Sequence, residues 1–179
     1  MERRTAIFAI SAGVLPIFAP SIMRAAHAQA PANMVPRDLG QYRTMTLMVG
    51  SLALQSSQLA TQRATLAKVK EFAGFETAEQ LTIAQVLTDA PAPSVAPLDS
   101  TQAAQLQALH SLPDGHAFDV QYVTLQVQGH QELLGIQNGF LQAQPSMSSD
   151  VAHIAILART VIQMHLVMLD ELRQIVGEA

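Results

Sequence analysis

Residues 118–140 read FDVQYVTLQVQGHQELLGIQNGF, and this stretch decides the fold. Its apolar residues and one glycine recur at steps of three and four residues: Phe118, Tyr122, Leu125, Gly129, Leu133, Ile136 and Phe140. This spacing places them on one stripe of an α-helix, which must end before Pro145. The stretch therefore predicts a long amphipathic helix whose apolar stripe faces a core.

Three other parts of the chain show the same period, and none shows the alternation of a strand. The long patterns cover about 38–64 (Tyr42, Met45, Val49, Leu52, Ser56, Leu59), 66–87 (Leu66, Val69, Ala73, Glu76, Gln80, Ile83, Leu87) and 148–179 (Ile154, Ala158, Val161, His165, Met168, Leu172, Ile175). A short helix is expected from Asp99 or Ser100 to about Leu112, between a proline-rich linker and a Pro-Asp-Gly turn. The sequence predicts an all-α fold, an antiparallel four-helix bundle with one additional short helix.

The N-terminus has the pattern of an export signal. A basic start and a short apolar core over residues 6–18 precede small residues that end at Ala28, where cleavage is expected. This predicts a signal peptide at 1–28, a flexible leader at 29–37 and a helical bundle domain at 38–179. No later stretch has 18 uninterrupted apolar residues, so we expect no transmembrane segment after cleavage. The location expected is the periplasm or the outside of the cell.

Composition excludes several classes of function. The chain has no cysteine, no tryptophan and 4% aromatic residues, so it offers no thiolate chemistry and few stacking platforms for nucleic acids. Loss of the signal would leave a net charge of −6, and no lysine or arginine lies between Lys70 and Arg159, so we expect no nucleic-acid partner. No nucleophile elbow, P-loop or H-E-x-x-H motif is present, so no enzymatic activity is expected.

Four polar residues occupy inward positions of the predicted helices. His165 lies on the stripe of the last helix, and His130 lies beside the stripe of the fourth. Counted from the loop between those helices, the two histidines differ in height by about one turn, so they can meet inside the bundle. Glu76 and Gln80 hold comparable positions on the second helix. Two imidazoles and a carboxylate suit a divalent transition metal such as iron, zinc or copper.

Two simpler interpretations remain open for these residues. Inward histidines in a bundle are commonly packing residues that bond to each other or to a carboxylate. Glu76 and Gln80 can also face solvent if Phe72 and Phe75 supply the core on the second helix. In that case no metal site forms, and no cofactor is expected.

Specific motifs in the chain resemble a known family. AFDVQY at 117–122, QVQGHQE at 126–132 and His165-Leu166 near the end are similar to the DUF4142 family of exported bacterial ferritin-like proteins, as is VKEFA at 69–73. The resemblance covers roughly residues 41–172 and implies a ferritin-like four-helix bundle.

The same resemblance bears on individual residues. It matches His130 and His165 to family histidines, and it matches Asp119 and Tyr122 to the family's F-D-x-x-Y motif, which adds both to the candidate polar layer. Ala53 and Gln55 stand where the family usually has an acidic residue in the first helix, and Gln80 stands where it usually has a histidine. The chain also lacks the Glu-x-x-His motif of di-iron sites, so the resemblance does not imply iron storage.

Three functions remain compatible with the sequence. The first is a non-enzymatic accessory, stress-related or interaction protein whose partner is an unidentified periplasmic protein. The second is a metal-binding protein that uses His130, His165 and Glu76. The third is a protein that binds a small apolar molecule between helices, where Gly129 leaves space. This third function requires a sizeable internal pocket.

Overall fold

The structure, a computed structural model, describes residues 35–89, 95–143 and 150–178. In these ranges the chain forms five α-helices and no strand, which confirms the all-α prediction. The helices are α1 (Leu39–Arg63), α2 (Ala67–Thr88), α3 (Ser100–Ser111), α4 (His116–Gln142) and α5 (Asp150–Glu178). The predicted signal peptide lies outside the described residues. Of the predicted leader, residues 35–37 are described, and Pro36 is buried.

Acidic side chains fix the first turns of three helices. Asp38 and Asp99 cap α1 and α3 by accepting backbone N–H bonds three residues ahead, each at 2.8 Å. Helix α2 begins after Leu66, which has no capping side chain. Asp119 of α4 caps it instead, by accepting the backbone N–H groups of Thr65 and Leu66 at 3.0–3.2 Å. A side chain distant in sequence therefore sets where α2 begins.

The four long helices pack around a shared core. Helix α1 packs along α2 and α4, α4 packs along α5, and the short α3 lies against α1 and α4. The three residues 64–66 join α1 to α2, so these two helices run antiparallel. Helices α2 and α5 make much less contact with each other. A side-chain contact between α2 and α5 therefore links the α1–α2 pair to the α4–α5 pair.

A polar layer divides the core into two apolar clusters. One cluster is built around Phe72, Leu109, Phe118, Tyr122, Leu169 and Leu172, and the other around Tyr42, Leu133, Ile136, Phe140, Ala155 and Ile162. Between them on α2, α4 and α5 lie the buried residues Glu76, Gln80, Gln126, His130 and His165. Buried polar residues therefore lie at mid-height of these helices, and Glu76, Gln80, His130 and His165 are among them.

Helix α5 buries a face that is displaced from the predicted one. Ala158, His165 and Leu172 are buried as expected, whereas the neighbouring expected positions Met168 and Ile175 are half-buried and exposed. The remaining buried positions are Val151, Ala152, Ala155, Ile162, Leu169 and Val176. Because α5 carries apolar residues on most of its surface, spacing alone could not select the buried side.

Helix α5 also has the length and composition that a membrane span requires. Its most apolar 18-residue window has a mean hydropathy of 1.5, and 33% of that window is buried. No other helix in the described ranges meets that criterion. Core helices of soluble proteins meet it too, and the buried side of α5 packs on α4. The absence of a transmembrane segment stays a prediction.

Candidate metal centre

Three long helices each contribute one buried side chain to a compact group. Glu76 of α2, His130 of α4 and His165 of α5 are 0%, 1% and 4% exposed. Glu76 Oε2 lies 3.2 Å from His130 Nε2 and 3.1 Å from His165 Nδ1, and the two ring nitrogens are 3.2 Å apart. The three atoms therefore form a nearly equilateral triangle. We call Glu76, His130 and His165 the triad.

The triad has the composition and spacing of a metal-ligand set. Each residue offers one ligand atom, and the three lie within bonding reach of a single ion. In a tetrahedral site with bonds of about 2.0–2.1 Å, ligand atoms are about 3.3 Å apart. In an octahedral site with bonds of about 2.2 Å, adjacent ligands are about 3.1 Å apart. The triangle falls between these values without any movement of the side chains.

Neighbouring groups present both imidazoles to the centre of the triad. His130 Nδ1 lies 2.8 Å from the backbone carbonyl of Gln126. Because a carbonyl only accepts, that bond requires the proton on Nδ1, and it leaves the lone pair of Nε2 facing the triad. His165 Nε2 lies 3.4 Å from Glu79 Oε2, on the far side of its ring. A carboxylate there favours a proton on Nε2 and a lone pair on Nδ1.

The carboxylate of Glu76 is oriented through one of its two oxygens only. Gln80 Nε2 donates to Glu76 Oε1 at 2.9 Å. Glu76 Oε2 is close to both histidine rings, yet it is buried without a well-aligned hydrogen bond. A buried acceptor left in this state is costly in free energy and calls for an explanation. A cation at the centre of the triad would supply the missing partner.

Burial and charge act in opposite directions on the pKa values of the triad. Burial alone would raise the pKa of Glu76, but the charge of His130 and the close ring nitrogens of both histidines lower it to about 2. Burial alone would lower the pKa of His130, but the charge of Glu76, the close contacts with Glu76 and the Gln126 carbonyl, and the charge of Glu79 together outweigh burial and raise that pKa. Burial, followed by the charge of Glu76, raises the pKa of Glu79. Without a metal, Glu76 and His130 therefore each favour the charged form of the other.

The surroundings of the triad are apolar on at least one side. The Phe72 ring packs edge-on against His165, with ring centroids 5.2 Å apart, and lies 6.0 Å from His130.

Phe75, the alternative core residue of α2, is 54% exposed. Glu76 and Gln80 therefore face inward together with Phe72, and the solvent-facing interpretation of these two polar residues is wrong.

Asp119 and Tyr122 are buried, but the structure places them in other contacts. Asp119 binds the start of α2, as described above. The Tyr122 hydroxyl lies 2.9 Å from Ser57 Oγ on α1. Gln126 Nε2 donates to the same serine hydroxyl at 3.1 Å and to Ser56 Oγ at 2.9 Å. Asp119 and Tyr122 therefore position helices through these contacts.

Sequence reasoning missed two residues that position the triad, Glu79 and Gln126. Glu79 follows Glu76 by three residues, so helical spacing could have placed both carboxylates near one face of α2. Gln126 precedes His130 by four residues, which is the spacing at which a side chain reaches a backbone carbonyl of its own helix. The other histidines of the described ranges, His110, His116 and His153, are exposed and away from the triad.

The structure also bears on the apolar-ligand hypothesis. A groove of about 180 Å³ lies between α1, α3 and α4, and Gly129 is among its lining residues, as expected. Its volume is below the roughly 300–1,000 Å³ typical of small-molecule pockets. Asp99, Gln102 and Glu132 make much of its lining polar. This groove therefore does not favour an apolar ligand.

The comparisons with known proteins agree with the resemblance noted in the sequence. No curated protein and no solved structure matches the chain. The family model described as a domain of unknown function, DUF4142, matches residues 24–172, which include every helix except the end of α5. The match covers well over half of the sequence and all three residues of the triad. The chain belongs to the DUF4142 family.

Proposed function

We propose that this protein is an exported, ferritin-like helical-bundle protein that binds one divalent transition metal ion through Glu76, His130 and His165. The observation that carries the proposal is the triangle of three buried ligand atoms with sides of 3.1–3.2 Å. Glu76 Oε2 lacks a well-aligned hydrogen bond in that triangle, whereas the large majority of buried side-chain polar atoms have one.

The donor set favours zinc, iron or copper. Two imidazoles and one carboxylate suit these borderline ions, whereas calcium and magnesium prefer sites built from oxygen ligands alone. The contacts of Gln126, Glu79 and Gln80 with the triad are those that commonly orient metal ligands. With a single carboxylate ligand and no Glu-x-x-His motif, the site suits one ion rather than a di-iron centre.

The ferritin-like arrangement and the export are parts of the same proposal. The pairing of α1 with α2, of α4 with α5, and of α1 with α4 supports a four-helix bundle with α3 added at its side. The sequence of residues 1–28 supports export, and a periplasmic protein would meet metal ions outside the cytoplasm. We assign no catalytic activity to the site.

The test is metal analysis of the purified full-length protein after loading with iron, copper or zinc and removal of unbound metal. We expect about one ion per chain in the unmodified protein, and loss of that ion in a His130→Ala, His165→Ala double variant. A His116→Ala, His153→Ala double variant removes two exposed histidines and should keep its ion. Circular dichroism shows whether each variant keeps its helices.

Two results would contradict the proposal. One is an unmodified protein that stays free of all three metals. The other is metal that the two double variants retain equally, since it would then be bound elsewhere. In either case the histidines are packing residues, and the accessory or interaction role expected from the sequence becomes the leading hypothesis.

A further inference from the structure

The geometry of the triad also points to what the bound ion can do. We propose that the ion keeps at least one coordination position free for a small exogenous anion. This inference rests on the proposed metal binding. It assigns the site to the open class, in which three protein ligands leave room for water or a substrate, rather than to the closed structural class with four.

The first support is the position that three ligands impose on the ion. An ion about 2.1 Å from each corner of a triangle with sides of 3.1–3.2 Å lies about 1 Å out of the triangle's plane. The three protein bonds then all lie on one side of the ion. Its remaining coordination position or positions face away from Glu76, His130 and His165.

The second support is that the nearest polar groups are occupied elsewhere. Gln80 donates its amide hydrogen to Glu76 Oε1, and the carbonyl of Gln126 contacts the outer nitrogen of His130. Glu79 lies against the outer nitrogen of His165, on the side of the ring away from the ion. In the described part of the chain, the group of possible His, Cys, Asp and Glu ligands has three members. Gln80, Glu79 and the backbone carbonyl of Gln126 are therefore not placed to become a fourth ligand. The exception is the side-chain Oε1 of Gln126, which is buried without a hydrogen bond, and a bond from it to the ion would close the site.

Charge and size define the class of ligand. Neutral imidazoles and one carboxylate leave a divalent ion with a net charge of about +1 in a buried site, where an uncompensated charge is costly. An anion removes that cost, and water that loses a proton to become hydroxide does the same. The triad is at most 4% exposed, and Phe72 packs against both rings. The ligand is therefore a small monodentate anion, with azide as the probe.

The experiment uses the full-length protein loaded with Co²⁺, whose visible absorption reports its coordination number and ligands. Titration with azide should shift the cobalt bands in a saturable way, with one azide per cobalt. Benzoate is a bulkier anion and should leave the bands unchanged, because the triad is at most 4% exposed. A Glu71→Gln variant changes an exposed carboxylate on α2, keeps all three ligands and should show the same azide-dependent shift.

The outcomes separate this inference from the proposed function. If Co²⁺ binds through the triad and azide leaves the spectrum unchanged at high concentration, the site is closed, and the inference is overturned while metal binding stands. If benzoate shifts the bands as azide does, the size limit is wrong. If Co²⁺ and the other ions do not bind to the triad at all, the proposed function fails and the inference fails with it.

Discussion

Replacing Glu76 with glutamine tests the charge at the centre of the molecule, because glutamine keeps the volume and cannot ionise. The pKa of Glu76 falls from the ordinary 4.5 to about 2 in the folded protein. At about 1.36 kcal/mol per pKa unit, this difference corresponds to about 3 kcal/mol of folding stability in the metal-free protein. In a domain of this size, such a loss lowers the unfolding temperature by roughly 10 °C.

The sign of the effect depends on pH. Because folding lowers the pKa of Glu76, its contribution is present above about pH 4.5 and is lost as the pH falls towards 2. Because folding raises the pKa of His130, its contribution is present below about pH 6.5 and is lost as the pH rises through the raised value. His165 Nδ1 also contacts Glu76, and Glu79 contacts the other ring nitrogen of His165. The pair therefore stabilises the metal-free protein most between about pH 4.5 and 6.5.

Thermal and urea unfolding of chelator-treated protein measure this effect. At pH 6 we expect Glu76→Gln to lose about 3 kcal/mol. At pH 9 we expect a smaller loss, because His130 loses its charge as the pH rises through its raised pKa. Glu71→Gln changes an exposed carboxylate on the same helix and serves as the control. Equal losses at pH 6 and pH 9 would refute the reasoning, since Glu76 would then act through its packing rather than its charge.

Three further substitutions test the fold around the triad by thermal unfolding. Gly129→Ala should stabilise the protein by about 0.5–1 kcal/mol, because a Cβ at this helical position meets open space. Destabilisation would show that neighbouring atoms crowd the position. Gly50→Ala should destabilise the protein and weaken metal binding, because the new Cβ would collide with Gln80 Oε1 and displace the amide that orients Glu76. Unchanged metal affinity in this variant would contradict the reasoning. Asp119→Ala should cost about 1–3 kcal/mol by uncapping α2 while the metal content stays the same, and loss of metal would place Asp119 in the site after all.

The starts of α1 and α3 could be predicted from the sequence because each carries a local signal. Asp38 and Asp99 are capping residues at the expected starts, and the stripe of α4 alternates clearly between apolar and polar residues. The buried face of α5 could not be placed as well, because its exposed positions include Leu157 and Val167, which are as apolar as its core. Where a helix is apolar on most sides, the neighbouring helices decide which face is buried.

The triad itself could be predicted because its members lie on inward faces at matching heights. The helical period could not predict which partner each buried polar residue binds. Asp119 and Tyr122 are as buried as His130, yet each bonds to an element far away in sequence, the start of α2 or a serine of α1. Which buried groups share a partner depends on the distances between helices, and a single sequence does not contain these distances.

The polar layer is difficult to explain by stability alone. Because burying charges costs desolvation energy, a buried ion pair adds little to folding stability. Apolar side chains of similar volume often give equal or greater stability. Apolar residues at the positions of Glu76, His130 and His165 would join the two apolar clusters into one core. The chain instead holds three electron-pair donors 3.1–3.2 Å apart, orients each of them through a further group, and leaves Glu76 Oε2 without a hydrogen bond. A cation at the centre would account for these features together, whereas packing alone leaves the buried Glu76 Oε2 without a hydrogen bond.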